Sequence, residues 1–136
     1  MCLYTNMICP QRARKDIICY KVLRATVLST GHTYYTTPCL GCKVELNSTL
    51  SAKENVIMAH ILKPPFMLYP KYRVEEGYIH CFTNKNALCG YMHNYFTGNK
   101  VIVECIIPKG TLYYKSINRL EICAKKVFIR GIELQM

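Results

Sequence analysis

The sequence predicts a single α+β domain: a twisted, mainly antiparallel sheet carrying one or two helices. Three observations lead there. β-Prone runs separated by turn signals recur from residue 16 onward, and only a few stretches carry helix signals. The third is size: 136 residues, 51% of them hydrophobic, supply one packed core and are too few for two. Residues 1–15 read as a basic lead-in and residues 16–136 as the domain.

The lead-in carries Pro10, Arg12, Arg14 and Lys15 with little periodicity. Residues 16–26 form the first convincing strand, rich in Ile17, Ile18, Cys19, Tyr20, Val22 and Leu23. Ser29-Thr30-Gly31-His32 is a turn signal, and the β-prone run 33–37 follows before Pro38-Cys39-Leu40-Gly41 breaks the chain. In the span 47–70, Ser51-Ala52-Lys53-Glu54 fits a capping box, which predicts a short helix to about Leu62, ended by Lys63-Pro64-Pro65. The β-branched pair Val56-Ile57 leaves an extended alternative open.

Residues 77–82 read as a short strand. Thr83 or Asn84 is placed to cap a helix over 85–96, stopped by Gly98. Residues 100–107 form the strongest strand; both of its faces are largely apolar, which predicts a central position in the sheet. Ile107-Pro108-Lys109-Gly110 suits a type I turn, with proline second and glycine fourth. Strands over 111–115 and 125–134 complete the expected sheet.

Charge narrows the partners. Lys and Arg number 18 against 8 acids, a formal net charge of +10, and Asp16 is the sole aspartate. Such a surplus favours nucleic acid, nucleotides, acidic proteins or anionic lipid. The nine cysteines are odd in number and irregularly spaced, and several lie within apolar runs, so reduced thiols are expected rather than a secreted disulfide scaffold. No apolar run approaches the length of a membrane helix and no secretory signal opens the chain.

Few motifs carry chemistry. Cys39-Leu40-Gly41-Cys42 has the spacing of a zinc knuckle, and Cys89 and His93 stand four apart on the expected helix as possible further ligands. No second pair completes a site, so a tight turn with two small thiols is the plainer account and no metal is expected. His80, mid-strand, suits a general base or a phosphate contact, or else a core-edge histidine bonded to a carbonyl. With one aspartate, no Ser-His-Asp set can be assembled. Phosphate-cradling GxxxxGK[ST] and GxGxxG loops are absent, and no cofactor is implied. Basic residues interleave with tyrosines, which nominates His80, Tyr113, Tyr114, Lys115, Arg119 and Lys125 as ligand-binding residues: cations for phosphates, rings for stacking.

Cys19-Tyr20-Lys21-Val22-Leu23, Gly77-Tyr78-Ile79-His80-Cys81-Phe82 and Ile107-Pro108-Lys109-Gly110-Thr111-Leu112-Tyr113-Tyr114 occur in that order. In this the chain resembles small, largely uncharacterised proteins of gut bacteria and their tailed phages. The resemblance implies phage or prophage origin, the cytoplasm of a bacterial host and a compact α+β fold. A weaker likeness is to the plan of mono-ADP-ribosyltransferases, NAD-using enzymes in which Arg24 or His32 would contact the dinucleotide and Glu121 would orient the acceptor. His80-Cys81-Phe82-Thr83 departs from that plan where a Ser-Thr-Ser element is expected.

Charge, interleaved tyrosines and the lack of a complete catalytic set predict a non-enzymatic phage accessory protein that binds an anionic ligand. That ligand would be a nucleotide, including a host signalling nucleotide, or nucleic acid. The alternatives are an ADP-ribosyltransferase-like enzyme and an inhibitor that docks on an acidic host protein.

Overall fold

The two longest apolar runs become neighbouring strands at the centre of a large antiparallel sheet. The computed structural model describes residues 3–7, 9–37, 42–52, 57–62, 71–89 and 99–134. The strands are β1 (Leu3–Thr5), β2 (Gln11–Arg12), β3 (Ile17–Val27), β4 (Thr33–Thr36), β5 (Lys43–Val44), β6 (Ser48–Ser51) and β7 (Ile57–Leu62), followed by β8 (Lys71–Glu76), β9 (Ile79–Phe82), β10 (Lys100–Ile107), β11 (Leu112–Lys115), β12 (Glu121–Ala124) and β13 (Lys126–Leu134). A helical segment, α1, covers 85–89. The architecture is therefore mostly antiparallel sheet, with one short helix among the described residues.

The large sheet runs β2-β11-β12-β9-β3-β10-β13-β6, with β4 on β3 and β5 on β4. β3 and β10 pair over eight residues, Ile17 opposite Ile107 through Arg24 opposite Lys100. Two inner strands of this path, β12 and β13, are joined directly by the chain itself. β12 lies between β11 and β9, β13 lies between β10 and β6, and the two are successive halves of one segment interrupted at Lys125. Passing from β12 through β9, β3 and β10 to β13 returns to that segment, so the sheet curls into a small closed barrel.

Alternation along the strands fills the barrel. Cys19 and Leu23 of β3, Cys81 of β9, Val103, Cys105 and Ile107 of β10, Ile122 of β12 and Val127 and Ile129 of β13 point to one face and form one buried cluster. Burying a single such aliphatic side chain contributes about 1.5–3 kcal/mol. The outer face is covered in two places. Leu88 of α1 packs on Val22, Phe82 and Ile102, and a second sheet, ordered β1-β8-β7, brings Leu3 and Val74 onto Tyr78, Tyr114 and Cys123.

Several expectations change at this level. The helix predicted after Ser51 is replaced by strands: Ser48–Ser51 pairs with β13 and Ile57–Leu62 pairs with β8, while residues 53–56 lie outside those described. A capping box satisfies two amides, whereas each of these strands gains a ladder. The run expected over 125–134 begins at Lys126 and is preceded by a further strand, β12, that its composition does not announce. Pro108 also opens its turn one residue later than expected. Thr111 N–H donates to the Pro108 carbonyl at 3.1 Å, Gly110 takes the third position at φ +88°, and Gly110 N–H bonds to Ala13 O instead. That is the glycine geometry of a type II turn.

The described parts of the lead-in are woven in: β1 pairs with β8, β2 with β11, and Ala13 is buried in the barrel cluster. Asn84 caps α1, its Oδ1 accepting from Asn86 N–H at 2.7 Å, as the sequence suggested. The remainder of the helix expected to 96, including His93, lies outside the described residues.

Candidate functional site

Among the described residues, four exposed cations gather where β12 bends into β13. The Pro108–Thr111 turn leads β10 into β11, and β2 lies along β11 with Arg12 opposite Leu112. The bend at Lys125 is held to β11 by Lys125 N–H donating to Leu112 O at 3.0 Å. These three pieces enclose an open cleft of about 390 Å³. Arg12, Lys109, Lys125 and Lys126 line it, all four are exposed, and no acidic residue is among its walls as far as the described residues go. Nearby, Asp16 Oδ1 accepts from Lys109 N–H at 2.8 Å. Arg12 is anchored by Nη1 donating to Gly110 O at 3.1 Å, which fixes one cation over the turn.

The six residues nominated from the sequence are dispersed. Lys125 lines the cleft. Arg119 sits beyond the other end of β12, at φ +63°, where its carbonyl accepts from Thr83 Oγ1. Tyr114 is only 2% exposed, and its ring lies 5.8 Å from that of Tyr78, so its face is occupied. Burial pushes its hydroxyl up from the ordinary range. Tyr113 and Lys115 alternate to the opposite side of β11 from Tyr114; the Tyr113 hydroxyl donates to Gln11 Oε1 at 3.1 Å.

His80 lies opposite Cys123 on β12, half-buried, with its Nδ1 buried and without a hydrogen-bond partner among the described residues. Burial first, and then the Lys21 charge, lower its pKa to about 4. Neutral imidazole is thus the resting form, which disfavours a role as a cationic phosphate contact.

Arg24, His32 and Glu121 do not converge. Arg24 and His32 are exposed on β3 and in the turn after it, and Glu121 faces Phe82, which faces Tyr20. From strand spacings, Arg24 and Glu121 are on the order of 15 Å apart. Glu121 is half-buried, and desolvation raises its carboxyl pKa. It borders a separate pocket of about 270 Å³ beside Tyr4, Ser116 and Asn118.

Three thiols meet inside the barrel: Cys19 faces Cys105 across β3 and β10, and Cys81 lies beside them. Hydrogen bonds from Cys105 and Cys19, helped by Lys21, hold the Cys81 thiol below its ordinary range, while the other two are pushed up. All three are buried, so the group is part of the core. Of the candidate metal ligands, Cys39 and His93 lie outside the described residues, Cys42 is exposed in the β4–β5 turn and Cys89 is half-buried on α1. Among the described residues no group of three His, Cys, Asp or Glu side chains is arranged to hold a metal ion, and no helix is long and apolar enough to cross a membrane.

The cleft was partly legible. Lys109, Lys125 and Lys126 stand out as basic, but Arg12 joins them only through the pairing of β2 with β11, nearly a hundred residues later in the chain. Comparisons with protein-family models, curated proteins and solved structures return no match to this chain.

Proposed function

We propose that this protein is a non-enzymatic binding protein for a phosphate-bearing ligand, and that the cleft at the Lys125 bend is its site. The observation that carries the reading is the convergence of Arg12, Lys109, Lys125 and Lys126 on one open cleft that no acid lines among the described residues. Four cations held on hydrogen-bonded turns form a positive focus that attracts polyanions and orients phosphate oxygens. The phage resemblance fits an accessory role in a bacterial host. The dispersal of Arg24, His32 and Glu121 leaves the transferase alternative without geometric support.

The test is binding of inorganic polyphosphate at low salt, followed by calorimetry, for the native protein and for Lys125→Ala/Lys126→Ala. Both lysines are exposed, so the fold tolerates the change. Affinity is expected to fall about tenfold or more, since hydrogen bonds to charged groups contribute about 1.5–3 kcal/mol each when well formed. Equal affinity in the two proteins overturns the assignment. An acidic protein partner would engage the same cations, and polyphosphate would then displace it.

A further inference from the structure

The cleft adjoins an apolar row on the outer face of the barrel wall. β13 alternates, with Val127 and Ile129 inside and Lys126, Phe128 and Arg130 outside. Phe128 stands opposite Ile106, and Ile106 stands opposite Ile18, so the three form one cross-strand row on β13, β10 and β3. Ile18 is 52% exposed and Ile106 and Phe128 are half-buried, and none of the three belongs to a buried cluster among the described residues. The next row, Arg130 and Glu104, is joined at 2.8 Å, so the acid bordering the strip is already paired. Beyond it, α1 covers Val22 and Ile102.

Charge continues past the cleft on the other side. Arg14 and Lys15 are exposed in the segment joining β2 to β3, next to Asp16, whose carboxylate is engaged by the Lys109 amide. A cationic track about six side chains long therefore runs beside a row carrying one aromatic and two aliphatic residues. Lys126 and Phe128 are two positions apart on one strand face, about 7 Å, comparable to the reach from a nucleotide's phosphate to its base.

Resting on the proposed phosphate cleft, we infer that the ligand is single-stranded nucleic acid, with successive phosphates on the Arg12–Lys126 cleft and its basic flank and an unpaired base on Phe128. An enclosed pocket would suit a mononucleotide; an open cleft continuous with an apolar strip suits a chain. A duplex keeps its bases stacked internally and has none to offer to Phe128, so the strip selects single strands.

The experiment is fluorescence anisotropy of the full chain with labelled 12-mers of oligothymidylate and oligouridylate and with a 12-base-pair duplex, alongside unlabelled polyphosphate as competitor. A single strand is expected to bind at least tenfold tighter than the duplex. Its log K should fall with log salt at a slope of about −2 to −3, corresponding to three or four phosphates. Phe128→Ala should weaken single-strand binding about tenfold with the slope unchanged, and Phe128→Tyr should restore it. Lys125→Ala/Lys126→Ala should flatten the slope by about 1.4. Circular dichroism checks that each variant is folded. The ratio of the two single strands assigns the sugar. Equal binding of duplex and single strand, or a folded Phe128→Ala with native affinity, overturns the inference. If polyphosphate still competes and the double lysine variant still weakens binding, the phosphate cleft stands without it. If neither polyphosphate nor any oligonucleotide binds, the cleft reading falls as well.

Discussion

The Lys21 ammonium donates to the main-chain carbonyl of His80 at 2.8 Å, joining β3 to β9 through a side chain. Lys21 is half-buried between Cys19 and Leu23 on β3, and His80 feels its charge from the adjoining strand. Burial and this charge together keep the imidazole neutral, with the histidine pKa lowered from 6.5 to about 4.

That relationship sets a pH dependence. Between pH 6.5 and 4 the unfolded chain binds a proton at His80 that the folded chain does not. The stability associated with the neutral ring is complete above pH 6.5 and is lost as the pH falls toward 4. The loss is about 2–3 kcal/mol, and urea unfolding at pH 7, 5.5 and 4.5 would measure it. His80→Phe should remove this part of the slope. In Lys21→Met the His80 midpoint, read by NMR, should rise but remain below 6.5, because burial is the larger cause. A native midpoint near 6.5 would contradict the arrangement.

Asn47 and Gly131 form a second test. Asn47 sits at φ +60°, and its Oδ1 accepts from Gly131 N–H at 2.9 Å. A Cβ on Gly131 would lie 2.5 Å from Asn47 Nδ2 and 2.8 Å from Oδ1, too close for either to stay. Gly131→Ala should cost about 1–3 kcal/mol in denaturant unfolding. The same substitution in an Asn47→Gly background should cost clearly less, since the clashing amide is gone and glycine accepts the positive φ. Equal costs in both backgrounds would place the effect elsewhere.

Asp16 separates charge from structure. Its Oδ1 holds the Lys109 amide at the edge of the cationic cleft. Asp16→Asn keeps the acceptor and removes the charge, so stability should change by less than about 0.5 kcal/mol while polyanion affinity rises. Asp16→Ala loses the bond as well and should cost about 0.5–1.5 kcal/mol. Paired thermal melts and binding isotherms distinguish the two variants.

Thiol accessibility checks the barrel interior. Cys9 and Cys42 are exposed, while Cys19, Cys81, Cys105 and Cys123 are buried. Burial also raises the Cys123 thiol to about 12, leaving little thiolate to react. Brief iodoacetamide treatment of the native protein, read by peptide mass spectrometry, should label Cys9 and Cys42 and leave the four buried thiols until the chain unfolds. Native labelling of Cys19 or Cys105 would mean that the barrel opens readily.

The parts of the fold legible in the sequence are those where one strand carries its own signal. β3 and β10 are apolar on both faces over eight or more residues, and no other element fits them. β8 was missed although Tyr72 and Val74 are buried two residues apart, because the charged residues Lys71, Arg73, Glu75 and Glu76 around them resemble a solvated loop. β12 is four residues long and gains its place from β9 and β11 rather than from its own composition. The site divides in the same way. Lysine clustering near the end of the chain is visible in one dimension, whereas Arg12 and the Ile18–Ile106–Phe128 row exist only once the register is set.

The closing segment carries a consequence for biosynthesis. In chain order β3, β9 and β10 all precede the β12–β13 segment that joins the two ends of the wall. During translation a nascent chain can assemble those three strands only as an open ribbon, with β9 and β10 as bare margins and the inner cysteines and aliphatics facing water. Such margins are templates for pairing with another nascent chain. Protection arrives when the last strands are made, so premature termination before Glu121 should yield insoluble product, while in the finished chain β12 and β13 cover the free edges of β9 and β10.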